Sequence, residues 1–259
     1  EDGWEGDFPA PENEQLDTVL HFMQIGGNTW SRLIQKSKQH QVSLHAIIYS
    51  AYLLSWISVY TDTSVKTVTA INCRPYCDPP VANDELGIFF GRFEYGWPKE
   101  ALLPFMEQDN NVTSPSSSSS FWKLAKLYHQ LVQENKLLTC QRSLLMEDAL
   151  PTFPESYCNV WYQSRKTFKM GRSGGLNISD LGKFVQDEKN DEGRNKWVLN
   201  NLWFCQSAHI YATVIAVNVV TSNGNMNATI TWQRGSIIEE KALKFLENFK
   251  QRLENEALE

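Results

Sequence analysis

Proton transfer near neutral pH is most often the work of histidine, so the five histidines come first. They are His21, His40, His45, His129 and His209, and the residues four positions later are Ile25, Leu44, Tyr49, Gln133 and Thr213. None of those is an aspartate, so no histidine is paired with a carboxylate at that spacing. His45 stands in a strongly apolar stretch and reads as a core residue whose ring finds partners inside the fold. His209, beside Ser207, has no carboxylate motif near it and is not read as a catalyst. No Gly-x-Gly-x-x-Gly occurs either, which removes the dinucleotide-binding turn.

The five cysteines, Cys73, Cys77, Cys140, Cys158 and Cys205, are sparse and odd in number. Cys73-x-x-x-Cys77 lacks a second pair or a nearby histidine couple, so no metal site is expected. The set suits free thiols in a reducing compartment. Of three glycosylation sequons, at Asn111, Asn177 and Asn227, the last two fall in predicted strands and read as chance matches. A net charge of -6 argues against a nucleic-acid surface. The one basic cluster, Arg165, Lys166, Lys169 and Arg172, reads as a solvated edge or loop, with a phosphate site as the alternative. No run of about 18 apolar residues exists, so no membrane span is encoded.

The elements that must position the polar residues follow from periodicity. Residues 1–17 are acidic, carry Gly3, Gly6, Pro9 and Pro11, and read as a linker outside the core. Strands are expected at Val19 to Ile25, Val65 to Asn72, Leu86 to Trp97, Asn159 to Phe168, Leu176 to Ser179, Lys196 to Ser207, Ile210 to Ser222 and Met226 to Gln233. Helices are expected at Thr29 to Gln39, Leu44 to Tyr60, Phe121 to Leu138, Ser143 to Ala149 and after Ser236. Ser43 is a candidate N-cap, and Ser236-x-x-Glu239 reads as a capping box before an apolar face of Ala242, Leu243, Leu246, Phe249 and Leu253. Ser-Asn-Gly-Asn at 222–225 is a hairpin turn. Residues 109–120, with five consecutive serines, read as a mobile low-complexity loop. The whole is α/β, a mixed β-sheet with helices mainly on one face.

Candidate wall residues sit at the ends of predicted strands. Asn177, Ser179 and Asp180 lie beside Gly182, where backbone can approach a ligand closely; a structural turn is the competing reading. Gln206 and Ser207 end a strand and could face a ligand or merely bond the strand end. Arg74 could bind a carboxylate and fix the loop to Glu85.

The order of pieces from Gly174 to Trp232, with Val42-Ser43-Leu44-His45-Ala46 opening a buried helix and Ile71-Asn72-Cys73-Arg74 followed by Leu86-Gly87, resembles a known family. It is similar to the acyltransferases of the chloramphenicol acetyltransferase and condensation-domain superfamily. Within it, the chain looks most like the fungal alcohol acetyltransferases and sphingoid-base N-acetyltransferases. Asn177 to Gly182 stands where those enzymes carry a Ser-Asn-Leu-Gly type segment, and it weakly resembles the Asp-Phe-Gly-Trp-Gly motif of plant acyltransferases, with Lys183-Phe184 in place of Trp-Gly. The family's His-x-x-x-Asp-Gly is absent, so the resemblance implies that this chain carries no catalytic residue of its own. The resemblance implies that residues 18–259 are the carboxyl-terminal half of a two-lobed enzyme using acetyl-CoA, with no metal. Its partner would be the amino-terminal half, and its acceptor a small alcohol, a sterol or a long-chain amine. It further implies an intracellular setting, cytoplasmic or peripheral on endoplasmic reticulum or lipid droplet. The basic cluster near Arg165 would then be the place to look for the coenzyme's phosphates. The strand Gly174 to Gly182 would leave this half to pair with the other. A non-catalytic binding module and the condensation domain of a peptide synthetase are the alternatives.

Overall fold

The computed structural model describes residues 3–10, 17–106, 115–148, 152, 154–185, 199–208 and 211–258. One mixed sheet forms its frame: β1 (Thr18–Ile25), β2 (Val65–Asn72), β3 (Phe90–Trp97), β4 (Gly174–Phe184), β5 (Thr213–Ser222) and β6 (Asn225–Gln233), in the order β1-β6-β5-β4-β2-β3. The three strands β2, β4 and β5 run parallel; the other neighbours are antiparallel. The helices are α1 (Gly27–Gln39), α2 (Leu44–Ile57), α3 (Lys99–Met106), α4 (Pro115–Asp148), α5 (Glu155–Arg165) and α6 (Glu239–Leu258).

The buried helix α2 organises the core. Ser43 caps it, its hydroxyl accepting from the Ala46 amide at 3.2 Å. Residues 46 to 57 are all buried, so this helix has no solvent face. It packs against α4, α6 and β4. Its internal hydroxyls cost little, because Ser50 and Ser55 donate to the carbonyls of Ala46 and Ala51 at 2.8 and 2.6 Å. Strand alternation does the rest. Leu176 and Ile178 of β4 are fully buried against the helices, while Asn177 and Ser179 point to the other face. The β5–β6 hairpin turns on Asn223 and Gly224, both at positive φ (46° and 78°), as the Asn-Gly pair predicts.

The second face of the sheet is covered in parts. Residues 199–208 cross β1, β6 and β5 as an irregular segment, held by Thr229 donating to the Phe204 carbonyl (2.6 Å) and the Ala208 amide donating to Thr18 (3.0 Å). This corrects the strand expected at Lys196 to Ser207, whose first residues lie outside the described ones. The strand expected at Asn159 to Phe168 is instead helix α5. Its β-prone residues Val160, Trp161 and Tyr162 misled the local reading, and an acidic first turn at Glu155 favours the helix.

Further expectations change. The strand β4 does not leave to pair elsewhere: it pairs with both β2 and β5 in the middle of this chain's sheet. The serine run is not wholly a loop, since α4 begins at Pro115 and its 34 residues absorb Ser116 to Ser120 and most of the separate helix expected at 143–149. Proline is well suited to a first helical turn. Residues 109–114 lie outside the described ones. The capping box of α6 does not form, for the Ser236 hydroxyl is buried without a partner among the described residues. Asp7 supplies the cap instead, accepting from the Ile238 amide at 2.8 Å. On α6 itself Phe245 faces inward and Leu243 is exposed.

Asp7 belongs to residues 3–10, which pack as a strap and not as a free linker. Trp4 is buried with its ring 4.5 Å from Tyr60 and 5.7 Å from Trp56. Arg172, also buried, donates to the carbonyls of Glu5 (3.1 Å) and Phe8 (2.7 Å).

Candidate functional site

A cleft of about 1110 Å³ opens on the face of the sheet away from α2, over the carboxyl-terminal parts of β2 and β4. Ligands of open α/β sheets bind beyond the carboxyl ends of parallel strands. The floor is Val68 and Ala70 from β2 with Asn177 and Ser179 from β4. One wall is the 199–208 segment through Phe204 and Gln206; the facing wall is the loop after β2 through Asn83, Asp84 and Phe89. Leu181, Phe184 and Val185 are exposed at the rim, as is Phe90. The cleft thus carries apolar side chains at its mouth and both apolar and polar ones on its floor.

Of the residues singled out from the sequence, Asn177, Ser179, Asp180 and Gln206 converge on this cleft, and Arg74 borders it. Gly182 and Ser207 do not line it. Gly182 shapes the rim instead: its φ of +71° lets β4 bulge, with Leu181 and Gly182 opposing Val220 alone between the Asp180–Val219 and Lys183–Thr221 pairs. Ser207 is exposed, short of the buried Ala208. Arg74 fixes the loop, though not through a carboxylate. It donates to the backbone carbonyls of Ala82 (3.2 Å) and Glu85 (2.8 Å) and lies 4.8 Å from the Phe89 ring.

Asp180 turns toward the helices as well as the cleft edge. One oxygen accepts from the Gly182 amide at 2.8 Å, and the other is 3.3 Å from His45 Nδ1. His45 Nε2 lies 3.2 Å from the Tyr128 hydroxyl, which is 2.5 Å from Thr69 Oγ1. Both ring nitrogens of His45 thus have partners, as expected, but the residue is half-buried and not in the core, and one partner is a candidate site residue, a link with no local signature. Burial, together with the nearby Tyr49, holds the Tyr128 phenol well above its ordinary range. Tyr49 is raised as well, by burial, despite its bonds to Thr67 (2.8 Å) and Trp97 (2.6 Å).

The basic cluster makes no phosphate cradle. Arg165 and Arg172 are turned onto the strap, Arg165 donating to the Ala10 carbonyl at 3.0 Å. Burial pulls the Arg172 guanidinium down to about 10. Gly171-Arg172-Ser173-Gly174-Gly175 has the spacing of a nucleophile elbow, but not its context. Ser173 is buried at the start of β4 and accepts from Arg92 at 3.2 Å, where an elbow would stand between a strand's end and a helix with a histidine in reach. Asn177 and Asn227 both lie in strands, Asn227 buried. Among the described residues no group of His, Cys, Asp and Glu could hold a metal, and no helix is long and apolar enough to cross a membrane. His209 lies outside the described residues. Arg92, Asn83, Asp84 and the aromatic walls were not foreseen, since only the folded loops bring them to β4.

The architecture is that of acetyltransferases and condensation domains. It resembles the trichothecene 15-O-acetyltransferase TRI3 from Fusarium sporotrichioides with a TM-score of 0.69 at 11% identity, over 99% of this chain and 49% of that one. The cyclization-docking bidomain of EpoB from Sorangium cellulosum matches at 0.62 and 12% identity, over 98% and 45%. The epimerization domain of tyrocidine synthetase B matches at 0.55 and 12% identity, over 98% and 51%. This chain thus spans about half the length of these solved structures. The sequence profile of the alcohol acetyltransferases matches residues 10–253, and the chain belongs to that family. No curated protein matches it.

Proposed function

We propose that this chain is the carboxyl-terminal lobe of an acetyltransferase that moves the acetyl group of acetyl-CoA to an alcohol or amine, with the cleft as one wall of the substrate channel. The family match over residues 10–253 carries the reading. Two facts support the lobe assignment: the chain spans about half of its solved neighbours, and none of its histidines is followed four residues on by aspartate.

The reaction needs three things. A base takes the acceptor's proton, the freed oxygen or nitrogen attacks the thioester carbonyl, and polar donors stabilise the oxyanion before the thiol leaves. This chain offers the last part and the apolar walls. Asn177 can donate to an oxygen from its amide and Ser179 from its hydroxyl, both from a rigid strand. Phe89 and Phe204 can cover an apolar acceptor, whether a small alcohol, a sterol or a long-chain amine, and the cleft is large enough for a ligand of that size. The base comes from the amino-terminal half.

The test is thiol release from acetyl-CoA in the presence of an alcohol or a long-chain amine. The isolated chain gives none, and adding the amino-terminal half restores it. Turnover by the isolated chain overturns the lobe assignment; no turnover from the two together overturns the acetyltransferase assignment.

A further inference from the structure

We propose that His45 is a positioning residue for the rim of the cleft, acting through Asp180 on the bulge at Gly182. The importance of that rim for substrate rests on the function proposed above; the positioning itself does not.

The bulge needs a restraint. At Leu181 and Gly182 the ladder between β4 and β5 is broken, and here the strand turns its exposed Leu181 and Phe184 to the cleft mouth. The bond from the Gly182 amide to Asp180 (2.8 Å) spans the break. An aspartate alone can swing on its own χ angles, so its effect depends on what fixes the second oxygen. That oxygen meets His45 Nδ1 at 3.3 Å.

The proton count gives the chain a direction. An ionised aspartate only accepts, so Nδ1 donates to it. In the tautomer that donates through Nδ1, Nε2 accepts, and the Tyr128 hydroxyl 3.2 Å away is its donor. The Tyr128 oxygen in turn accepts from Thr69 at 2.5 Å. Tyr128 cannot drift, because it stacks on Tyr49 with ring centroids 3.4 Å apart and planes 3° from parallel. Four elements, β2, α4, α2 and β4, thus converge on one carboxylate. A ring that merely filled space would need none of these nitrogen partners.

Chemistry separates the two roles. In the full chain, amide hydrogen exchange at Gly182 is followed in the wild type, His45→Phe, His45→Gln, His45→Asn and Asp180→Ala. Asparagine can set its amide nitrogen where Nδ1 was, and glutamine where Nε2 was. Exchange at Gly182 rises about tenfold in the Phe, Gln and Ala variants, as loss of one charge-assisted bond implies, and stays within about threefold in the Asn variant. Equal protection with Phe and His, or no advantage of Asn over Gln, overturns the proposal. If the Phe variant does not fold, the Asn–Gln comparison still decides. Exchange requires no turnover, so this result is independent of the acetyltransferase test.

Discussion

Single side chains here do their work by being buried in a defined protonation state. Tyr49, Tyr52 and Tyr128 are all buried, and burial raises each phenol above its ordinary value. A folded pKa raised above the unfolded one means that the neutral phenol's contribution is complete below the unfolded value of about 10 and is lost as pH rises past it. Chemical denaturation should therefore show stability falling above about pH 10. Tyr52→Phe should make that fall shallower, while costing about 1 kcal/mol at neutral pH for the bond to the Ile215 carbonyl. An unchanged alkaline slope would contradict this account. Gly182 gives a second residue-scale expectation. Its φ of +71° is unfavourable for any L side chain, although a Cβ there meets nothing within 4 Å. Gly182→Ala should destabilise by about 1–2 kcal/mol, the strain of the left-handed conformation, without a steric clash.

At the scale of elements the strap is the surprise. Residues 3–10 give the core Trp4, give α6 its cap through Asp7, and give Arg172 its carbonyl partners. Asp7 also accepts from the Tyr60 hydroxyl at 2.9 Å. Trp4→Ala should cost about 3–5 kcal/mol in urea unfolding, within the range for removing a buried Trp. Asp7→Ala should cost about 1 kcal/mol, the worth of an N-cap, and should speed amide exchange in the first turn of α6. A strap that only rests on the surface would leave both measurements unchanged.

For the molecule as a whole, one group of exposed apolar residues lies at the cleft: Phe90, Leu181, Phe184 and Val185. Leu86 is 98% exposed and Ile88 86%, on the loop that Arg74 holds, next in the chain to Gly87 and Phe89 of the cleft wall. A patch of this kind is unusual on a surface that solvent alone covers. The isolated chain should bind anilinonaphthalene sulfonate, and Ile88→Lys together with Leu181→Lys should weaken the signal while leaving the melting temperature within about 2 °C, since neither side chain is buried. Undiminished dye fluorescence in the double variant would mean that the patch lies elsewhere.

The sequence alone determined what depends on near neighbours. The apolar run of α2 and its Ser43 cap, the Asn223-Gly224 turn and the alternation of Leu176 and Ile178 with Asn177 and Ser179 could all be read, because a helix, a hairpin turn and a strand face are set within a few residues. The family could be read from the order of such pieces. Where local preference and tertiary context disagreed, local reading failed: β-prone Val160 to Tyr162 became helix α5, and the serines read as a loop became the first turns of α4. Long-range partners were invisible. Ser236 and Glu239 have the spacing of a capping box, yet Asp7 holds that position from 231 residues away. His45 reads as an ordinary core histidine, and only the fold brings it to Asp180, 135 residues on. Hydrogen bonds between distant elements leave no spacing in the chain, so only the tertiary structure could reveal them.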